Sequence, residues 1–144
     1  MAATRLVFQR AGASLSRRRA STSARALAGL NSVTEHDVAH FSQILPESCI
    51  LSTLPPVSSP PEDLVIYNTD WMGKYKGNST TVLKPKTAEQ VSQIMKRCYE
   101  RRIGVVPQGG NTGLVGGSVP LKDELVISMA NMNKVRSFDP VTGE

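Results

Sequence analysis

The chain has 144 residues, of which 40% are hydrophobic and 20% are charged, and its formal net charge at pH 7 is +5. This length suits one small domain, and no apolar run approaches the roughly 20 residues of a membrane-spanning helix, so we predict no transmembrane segment. The two cysteines, Cys49 and Cys98, stand far apart and outside any C-x-x-C motif. Their spacing argues against a disulfide or zinc framework and suits buried thiols in a reducing compartment.

The basic charge is concentrated in the first 34 residues, which contain six arginines but no lysine and no acidic residue. Removing these six from the seventeen basic residues leaves eleven against twelve acidic residues, a net charge of −1. This composition is typical of a mitochondrial targeting peptide, which we predict over residues 1–30, with cleavage near Ser21. The alternative is a disordered basic arm for nucleic acid or an anionic membrane, but such an arm would use lysines and continue into the folded part. We therefore expect a mitochondrial matrix protein without a nucleic-acid partner.

Residues 31–78 are predicted to hold an N-terminal helix and a Pro/Ser-rich linker. Thr34 and Asp37 mark a helix start, and apolar residues then recur on one helix face up to Pro46. Four prolines among serines predict a loop over residues 46–63.

Within this helix, His36 and His40 are four residues apart, as in a metal-binding pair. No cysteine or paired carboxylates converge with them, so the sequence favours a solvated helix face over a metal site.

Residues 79–144 predict an α/β unit, in which a β-α-β pattern is followed by short strands. Thr87 and Gln90 form a capping-box signal, after which apolar residues recur at helical spacing until Gly104 ends the helix. A turn is predicted at 139–143. The predicted strands are 80–83, 105–106, 125–129 and 135–138.

The most specific motif is the glycine loop, which we define as residues 107–118, directly after the apolar stretch 104–106. It holds five of the chain's eleven glycines within nine positions. Glycine adopts φ > 0 freely and lets neighbouring main-chain N–H groups converge on an anion. Because the loop has no Lys, Arg or acidic residue, its affinity for phosphate must come from main-chain dipoles and from Asn111, Thr112 and Ser118.

Two common phosphate-binding loops do not match. A Walker loop ends in Gly-Lys-Ser/Thr, whereas this loop ends in Gly116-Gly117-Ser118, so a nucleotide triphosphatase is not predicted. A Rossmann fingerprint opens a helix, but only residues 118–124, which include Pro120, separate the last glycine from the apolar run 125–129. The loop is therefore predicted to join strand to strand. The alternative is a flexible connector without a ligand, although turn chemistry rarely requires so many glycines.

Residues 81–91 and 104–113 resemble the start of the FAD-binding domain of the vanillyl-alcohol-oxidase/p-cresol-methylhydroxylase (PCMH-type) superfamily. Residues 107–118, with 132–135, are most similar to the mitochondrial D-2-hydroxyglutarate dehydrogenases, whereas related D-lactate and glycolate dehydrogenases typically have Arg in place of Gln108. The resemblance implies an incomplete α/β (α+β) domain at 79–144 whose loop binds the FAD pyrophosphate. The cofactor-binding residues that it implies are Gln108, Gly109, Gly110, Asn111, Thr112, Gly113, Leu114, Gly117 and Ser118.

The same resemblance implies a reaction and partners for the whole protein. In this family D-2-hydroxyglutarate is oxidised to 2-oxoglutarate, the C2 hydride passes to flavin N5, and electron-transfer flavoprotein receives the electrons. A divalent metal such as zinc beside the small 2-hydroxy acid is implied for the full-length family only. Its ligands would lie beyond Glu144, so we assign no catalytic or metal residue to this chain.

The glycine loop lacks the His or Cys that can attach flavin covalently in this superfamily, so non-covalent FAD is predicted. The chain stops after a turn that should lead into another strand, so a truncated chain is expected. The alternatives are a non-catalytic truncated product, an incomplete gene model, or a D-lactate or glycolate dehydrogenase.

Trp71 could cover the flavin, but a packing role is favoured.

Overall fold

The computed structural model describes residues 29–135 and 137–142. The chain divides into two units, residues 1–30 and residues 31–144. Residues 1–28 of the predicted targeting peptide, with the predicted cleavage site, lie outside the described residues. The elements below belong to the second unit and form the mixed α/β structure that the sequence predicts.

The described residues form three α-helices, four β-strands and two short 3₁₀ turns, at 47–49 and 129–131. In the sheet the strand order is β1-β2-β4-β3; β2, β4 and β3 run parallel, and β1 runs antiparallel to β2. The helices are α1 (Glu35–Ile44), α2 (Glu62–Asn68) and α3 (Ala88–Arg101). The strands are β1 (Ile50–Ser52), β2 (Thr81–Leu83), β3 (Val105–Gln108) and β4 (Leu125–Ser128).

The sheet has an apolar cluster on each face. Strand side chains point alternately to opposite faces, and β4 is buried along its whole length, as is usual for a parallel strand covered on both sides. Leu125 and Ile127 pack in a large cluster with residues of α1 and α3. Val126, on the other face, packs in a small cluster with Val82 and with Leu64 of α2. The larger core therefore lies beneath α1 and α3.

Local signals locate α1 and α3 correctly, with differences at the ends of α3. Thr34 caps α1 and donates hydrogen bonds from its N–H and hydroxyl to the Asp37 carboxylate. At α3 the Thr87 hydroxyl accepts from Gln90 N–H, but Gln90 Oε1 accepts from the N–H of Lys86 rather than of Thr87, so the predicted capping box is displaced by one residue. The helix ends at a left-handed Arg102 (φ 54°) instead of at Gly104.

The prediction of a loop over residues 46–63 is wrong where β1 forms. This strand pairs with β2 from Ile50↔Leu83 to Ser52↔Thr81. Helix α2 also forms in the predicted linker. These short elements are stabilised by partners that are remote in sequence, which local patterns do not reveal.

The predicted β-α-β pattern is present, because β2, α3 and β3 follow one another in the chain and β2 and β3 run parallel in one sheet. β4 lies between β2 and β3, so the two strands that flank α3 are not neighbours. The strand predicted at 135–138 is wrong for residues 135, 137 and 138, which have no strand conformation. Val135 and Phe138 are exposed, because no strand edge in the described part of the chain pairs with them. Among the described helices, none is long and apolar enough to cross a bilayer.

Candidate functional site

The glycine loop leaves the carboxyl end of β3 and returns the chain toward β4. No helix forms between Gln108 and Leu125, which confirms the predicted strand-to-strand connection. Because β2, β4 and β3 are parallel, their carboxyl ends share one edge of the sheet, where α/β folds commonly bind ligands. The returning chain passes so close to Gly77 that a Cβ there would lie 2.1 Å from the carbonyl oxygen of Pro120.

Polar side chains of the loop are held by partners within the chain. Gln108, which is 2% exposed, donates from Nε2 to the carbonyl oxygens of Tyr67 (3.0 Å) and Ser118 (2.9 Å). Asn111 donates from Nδ2 to the carbonyl oxygen of Thr69 (2.8 Å), and its Oδ1 accepts from Ser118 Oγ (2.6 Å). The sequence interpretation assigns these polar groups to an anion, whereas their hydrogen bonds are internal.

Four of the loop glycines face open space. An added Cβ at Gly109, Gly113 or Gly117 would find no heavy atom within 4 Å, and at Gly110 it would find only Thr112 Cγ2 at 3.9 Å. Packing of the described chain therefore does not explain why these positions lack side chains. A ligand that contacts the main chain directly would explain it.

Positive φ angles in the loop occur at Asn111 (54°) and Gly116 (71°). Asparagine is among the residues that most readily adopt this left-handed region, after glycine. Gly116 has a second constraint, because a Cβ there would lie 2.6 Å from Cγ of the Tyr75 ring. These two residues set the path of the loop, while the remaining glycines expose its main chain.

The main chain of the loop is a row of unused hydrogen-bond donors. Within the described part of the chain, no N–H from Gly109 to Ser118 donates to a protein acceptor; the nearest main-chain bond in the sequence runs from Val119 N–H to the Gly116 carbonyl. Each N–H bonded to a charged oxygen contributes about 1.5–3 kcal/mol. The loop can therefore bind an anion without a basic side chain.

A buried carboxylate adjoins the loop. Asp70 is 3% exposed; its Oδ1 accepts from Tyr75 N–H at 2.8 Å, whereas its buried Oδ2 has no hydrogen-bond partner among the described residues. The preceding residue, Thr69, accepts the Asn111 amide, and the Tyr75 ring lies against Gly116. An unpaired buried acceptor is uncommon and suits a ligand that brings a hydroxyl or N–H donor. Sequence reasoning missed it because a single Asp carries no recognisable pattern.

Exposed apolar side chains accompany the site. Leu114 and Val115, within the loop, are 61% and 81% exposed. Trp71, next to Asp70, is 64% exposed, so it does not pack into a core of the described residues.

The α1/α3 face carries a separate charged cluster. Asp37 is fully buried and its Oδ1 lies 2.7 Å from Arg97 Nη2 and 3.2 Å from Arg101 Nε. Burial raises the pKa of Asp37, but hydrogen bonds from Thr34 and the two arginines outweigh that effect and hold the pKa below its ordinary value of 3.8. The cluster joins α1 to α3 by charge-assisted bonds.

Metal-ligating residues do not assemble in the described part of the chain, where no group of three His, Cys, Asp or Glu side chains could hold an ion. His36 Nδ1 instead lies 2.8 Å from Arg97 Nη2. Both cysteines are buried, as predicted. Burial, with the neighbouring Asp37 charge, raises the pKa of Cys98 to about 12.

Comparison with known proteins gives consistent results. Residues 79–144 match the family described as FAD binding domain. The chain is 52% identical over 107 residues to D-2-hydroxyglutarate–pyruvate transhydrogenase DLD3 of Saccharomyces cerevisiae, covering 74% of this chain and 21% of that protein. It is 47% identical to a putative mitochondrial D-lactate dehydrogenase of Schizosaccharomyces pombe (77% and 21% covered) and 49% identical to mitochondrial D-2-hydroxyglutarate dehydrogenase of Arabidopsis thaliana (78% and 19% covered). The chain thus spans about a fifth of the length of these relatives.

A solved structure shows the fold. Substrate-bound p-cresol methylhydroxylase superimposes with a TM-score of 0.57 at 24% identity, covering 75% of this chain and 21% of that one. Its likeness agrees with the PCMH-type fold expected from the sequence. Residues 79–144 therefore match the FAD-binding domain family, and the chain is similar over about a fifth of their length to the D-2-hydroxyglutarate dehydrogenases.

Proposed function

We propose that the glycine loop binds the pyrophosphate of FAD, non-covalently, through its main-chain N–H groups. The observation that carries this proposal is the row of donors from Gly109 to Ser118 that have no protein acceptor, beside glycines whose Cβ space is open. Pyrophosphate oxygens carry full negative charge and suit such a row, as in other backbone cradles for phosphate. The unpaired Oδ2 of Asp70 is a suitable acceptor for one of the hydroxyl groups of FAD.

The residues involved have different roles in this proposal. Gly109, Gly110, Gly113 and Gly117 keep the main chain open to the anion, and Thr112 and Leu114 supply exposed side chains at its border. The exposed Leu114 side chain suits an apolar part of the cofactor. The side chains of Gln108, Asn111 and Ser118 form hydrogen bonds that hold the parts of the loop together.

For the whole protein, we propose oxidation of D-2-hydroxyglutarate to 2-oxoglutarate, on the basis of similarity to the named relatives. When bound, FAD would supply the acceptor for the hydride from C2, and the reaction also requires a base for the hydroxyl proton. Electron-transfer flavoprotein is the proposed acceptor of the two electrons. The described residues supply part of the cofactor site, and they do not assemble the divalent metal site implied for the full-length family.

The central test is Gly113→Val in the protein expressed in full from its gene. A Cβ at this position would have no heavy atom of the described chain within 4 Å, so the variant should fold while its isopropyl group keeps the anion away from the main chain. We expect the FAD dissociation constant to rise at least tenfold, which corresponds to about 1.4 kcal/mol. Equilibrium dialysis and circular dichroism measure binding and folding separately.

Thr112→Val is the comparison variant, because it removes one hydroxyl from the same loop and leaves the main chain in place. It should weaken FAD binding less than Gly113→Val does. A folded Gly113→Val protein with unchanged FAD affinity would show that the loop is only a connector. Flavin that stays attached to protein after acid precipitation would contradict non-covalent binding.

Substrate choice is tested by dye reduction with D-2-hydroxyglutarate, D-lactate and glycolate. We expect the highest kcat/KM with D-2-hydroxyglutarate; a preference for D-lactate would overturn the substrate and leave FAD binding intact. The D-lactate alternative has support from the fission-yeast relative. The same assay with electron-transfer flavoprotein in place of dye tests the acceptor.

Location in the mitochondrial matrix is proposed from the acid-free, arginine-rich start of the chain. Residues 1–34 fused to a fluorescent reporter should carry it to the matrix and be cleaved near Ser21. A reporter that stays cytosolic and uncut would contradict this.

A further inference from the structure

Helix α2 ends without a glycine cap, and the local side-chain bond in its last turn runs from Asn68 Nδ2 to the Leu64 carbonyl oxygen (3.2 Å). Its last turn contains no basic residue, and its C-cap, Thr69, is extended (φ −131°, ψ 134°) rather than a left-handed glycine. The last four carbonyl oxygens of any α-helix lack partners within the helix and need donors from elsewhere.

Gly77 N–H donates to the Asn68 carbonyl oxygen at 2.8 Å, and the other donors come from the glycine loop, about forty residues later in the chain. Asn111 Nδ2 donates to the carbonyl oxygens of Ile66 (3.3 Å) and Thr69 (2.8 Å), and Gln108 Nε2 donates to that of Tyr67 (3.0 Å). The two amides thus cap one end of α2 in the way that a local motif caps most helices.

The same two amides also close the loop on itself. Gln108 Nε2 reaches the Ser118 carbonyl at 2.9 Å, and Ser118 Oγ donates to Asn111 Oδ1 at 2.6 Å. Three side chains therefore join the first, middle and last parts of the loop to each other and to α2. Asn111 also supplies the left-handed turn of the main chain at φ 54°.

We propose that Gln108 and Asn111 are positioning residues, which hold the loop main chain in its binding geometry by capping α2. The inference rests on the proposed binding of FAD by this loop. It makes α2, which precedes the matched region 79–144, part of the support of the cofactor site. Binding and capping are then coupled, so bound FAD stabilises the carboxyl end of α2.

Two uncharged variants test the proposal in the protein expressed in full. Asn111→Gly retains the capacity for positive φ but loses both donors, and Gln108→Met retains length and loses its amide. The FAD dissociation constant should rise at least tenfold in each, with no new negative charge near the pyrophosphate.

Asn68→Ala is the matched control, since the Asn68 amide also bonds to main chain, at Leu64 and Ser79, but does not contact the glycine loop. This variant should lower the thermal midpoint of the apoprotein while changing FAD affinity less than threefold.

Hydrogen exchange over residues 62–69 gives a readout that a merely structural role would leave unchanged. FAD should slow exchange in this segment at least fivefold in the unmodified protein and in Asn68→Ala, and should not slow it in Asn111→Gly. Unchanged FAD affinity in Asn111→Gly, or equal protection of residues 62–69 with and without the Asn111 amide, would overturn the positioning role. Unmodified protein that binds no FAD would instead overturn the proposed function. If the buried Gln108→Met variant does not fold, Asn111→Gly alone decides.

Discussion

The two faces of the sheet stabilise their helices by different means. On the α1/α3 face, the cap at the amino end of α1 is local: Thr34 bonds to Asp37 three residues later, above a large apolar cluster. On the α2 face, the cap at the carboxyl end of α2 comes from Gln108 and Asn111, and the apolar cluster is small. One face therefore has its own source of stability, whereas the other depends on the glycine loop. The difference indicates that regions with low intrinsic stability are suited to respond to a ligand.

The largest expected effect is on the α1/α3 face. Asp37→Ala removes the buried acceptor shared by Arg97 and Arg101 and should lower the free energy of unfolding by about 3 kcal/mol. This is the lower end for a buried ion pair, because the Arg101 side chain is 40% exposed and regains water. Urea denaturation measures the change. Glu35→Ala, in the same helical turn but exposed, should cost about 0.5 kcal/mol or less; equal effects would mean that the buried cluster does not stabilise this face.

The pH dependence of that effect follows from the lowered pKa of Asp37. The charged carboxylate contributes stability that is fully present above its unfolded pKa, near 3.8, and is lost as the pH falls through the lower folded pKa. The difference in unfolding free energy between the protein and Asp37→Asn should thus be constant from pH 7 to pH 5 and shrink below about pH 4. A difference that instead grows toward acid would contradict the sign.

A smaller effect is expected in the loop itself, where two adjacent glycines differ. Gly116→Ala places a Cβ against the Tyr75 ring at positive φ and should cost about 1–2 kcal/mol. Gly117→Ala meets open space and should leave the thermal midpoint nearly unchanged. Equal losses of stability would show that Tyr75 moves aside and that Gly116 does not fix the loop path.

The smallest effect is expected at the carboxyl end of α3. Arg102 occupies the left-handed cap position that glycine usually fills (φ 54°). Arg102→Gly should raise the free energy of unfolding by about 0.5 kcal/mol, since relief of the left-handed strain exceeds the added flexibility of glycine in the unfolded chain. Differential scanning calorimetry can resolve it; a decrease would mean that the Arg102 side chain stabilises the cap.

Sequence reasoning succeeds where the determining contact is local. The Thr34 and Thr87 caps, the apolar runs of β2 and β4, and the strand-to-strand path of the glycine loop all follow from neighbouring residues. It fails where the partner is remote. The partner of β1 is β2, and the partners of the α2 carbonyl groups are loop amides.

The site residues show the same division. Glycine spacing predicts a main chain that is open to an anion; the structure shows open Cβ space at four of the glycines, and the anion itself stays a prediction. The internal bonds of Gln108, Asn111 and Ser118 could not be predicted, because an amide has the same sequence signature whether it contacts a ligand or a carbonyl group. The opposite error arises at 135–138, where an apolar run without a partner stays exposed.

The buried thiol of Cys98 has a practical consequence. With a pKa near 12 and 1% exposure, it remains protonated and shielded at neutral pH, so an alkylating reagent can reach it only when the α1/α3 face opens. Cys49, which is 2% exposed, lies in the same cluster and reports the same opening. In protein loaded with FAD, the fluorescence of released flavin would report the opening of the glycine loop. Thiol alkylation and flavin release could therefore time the opening of the two faces independently in a single sample.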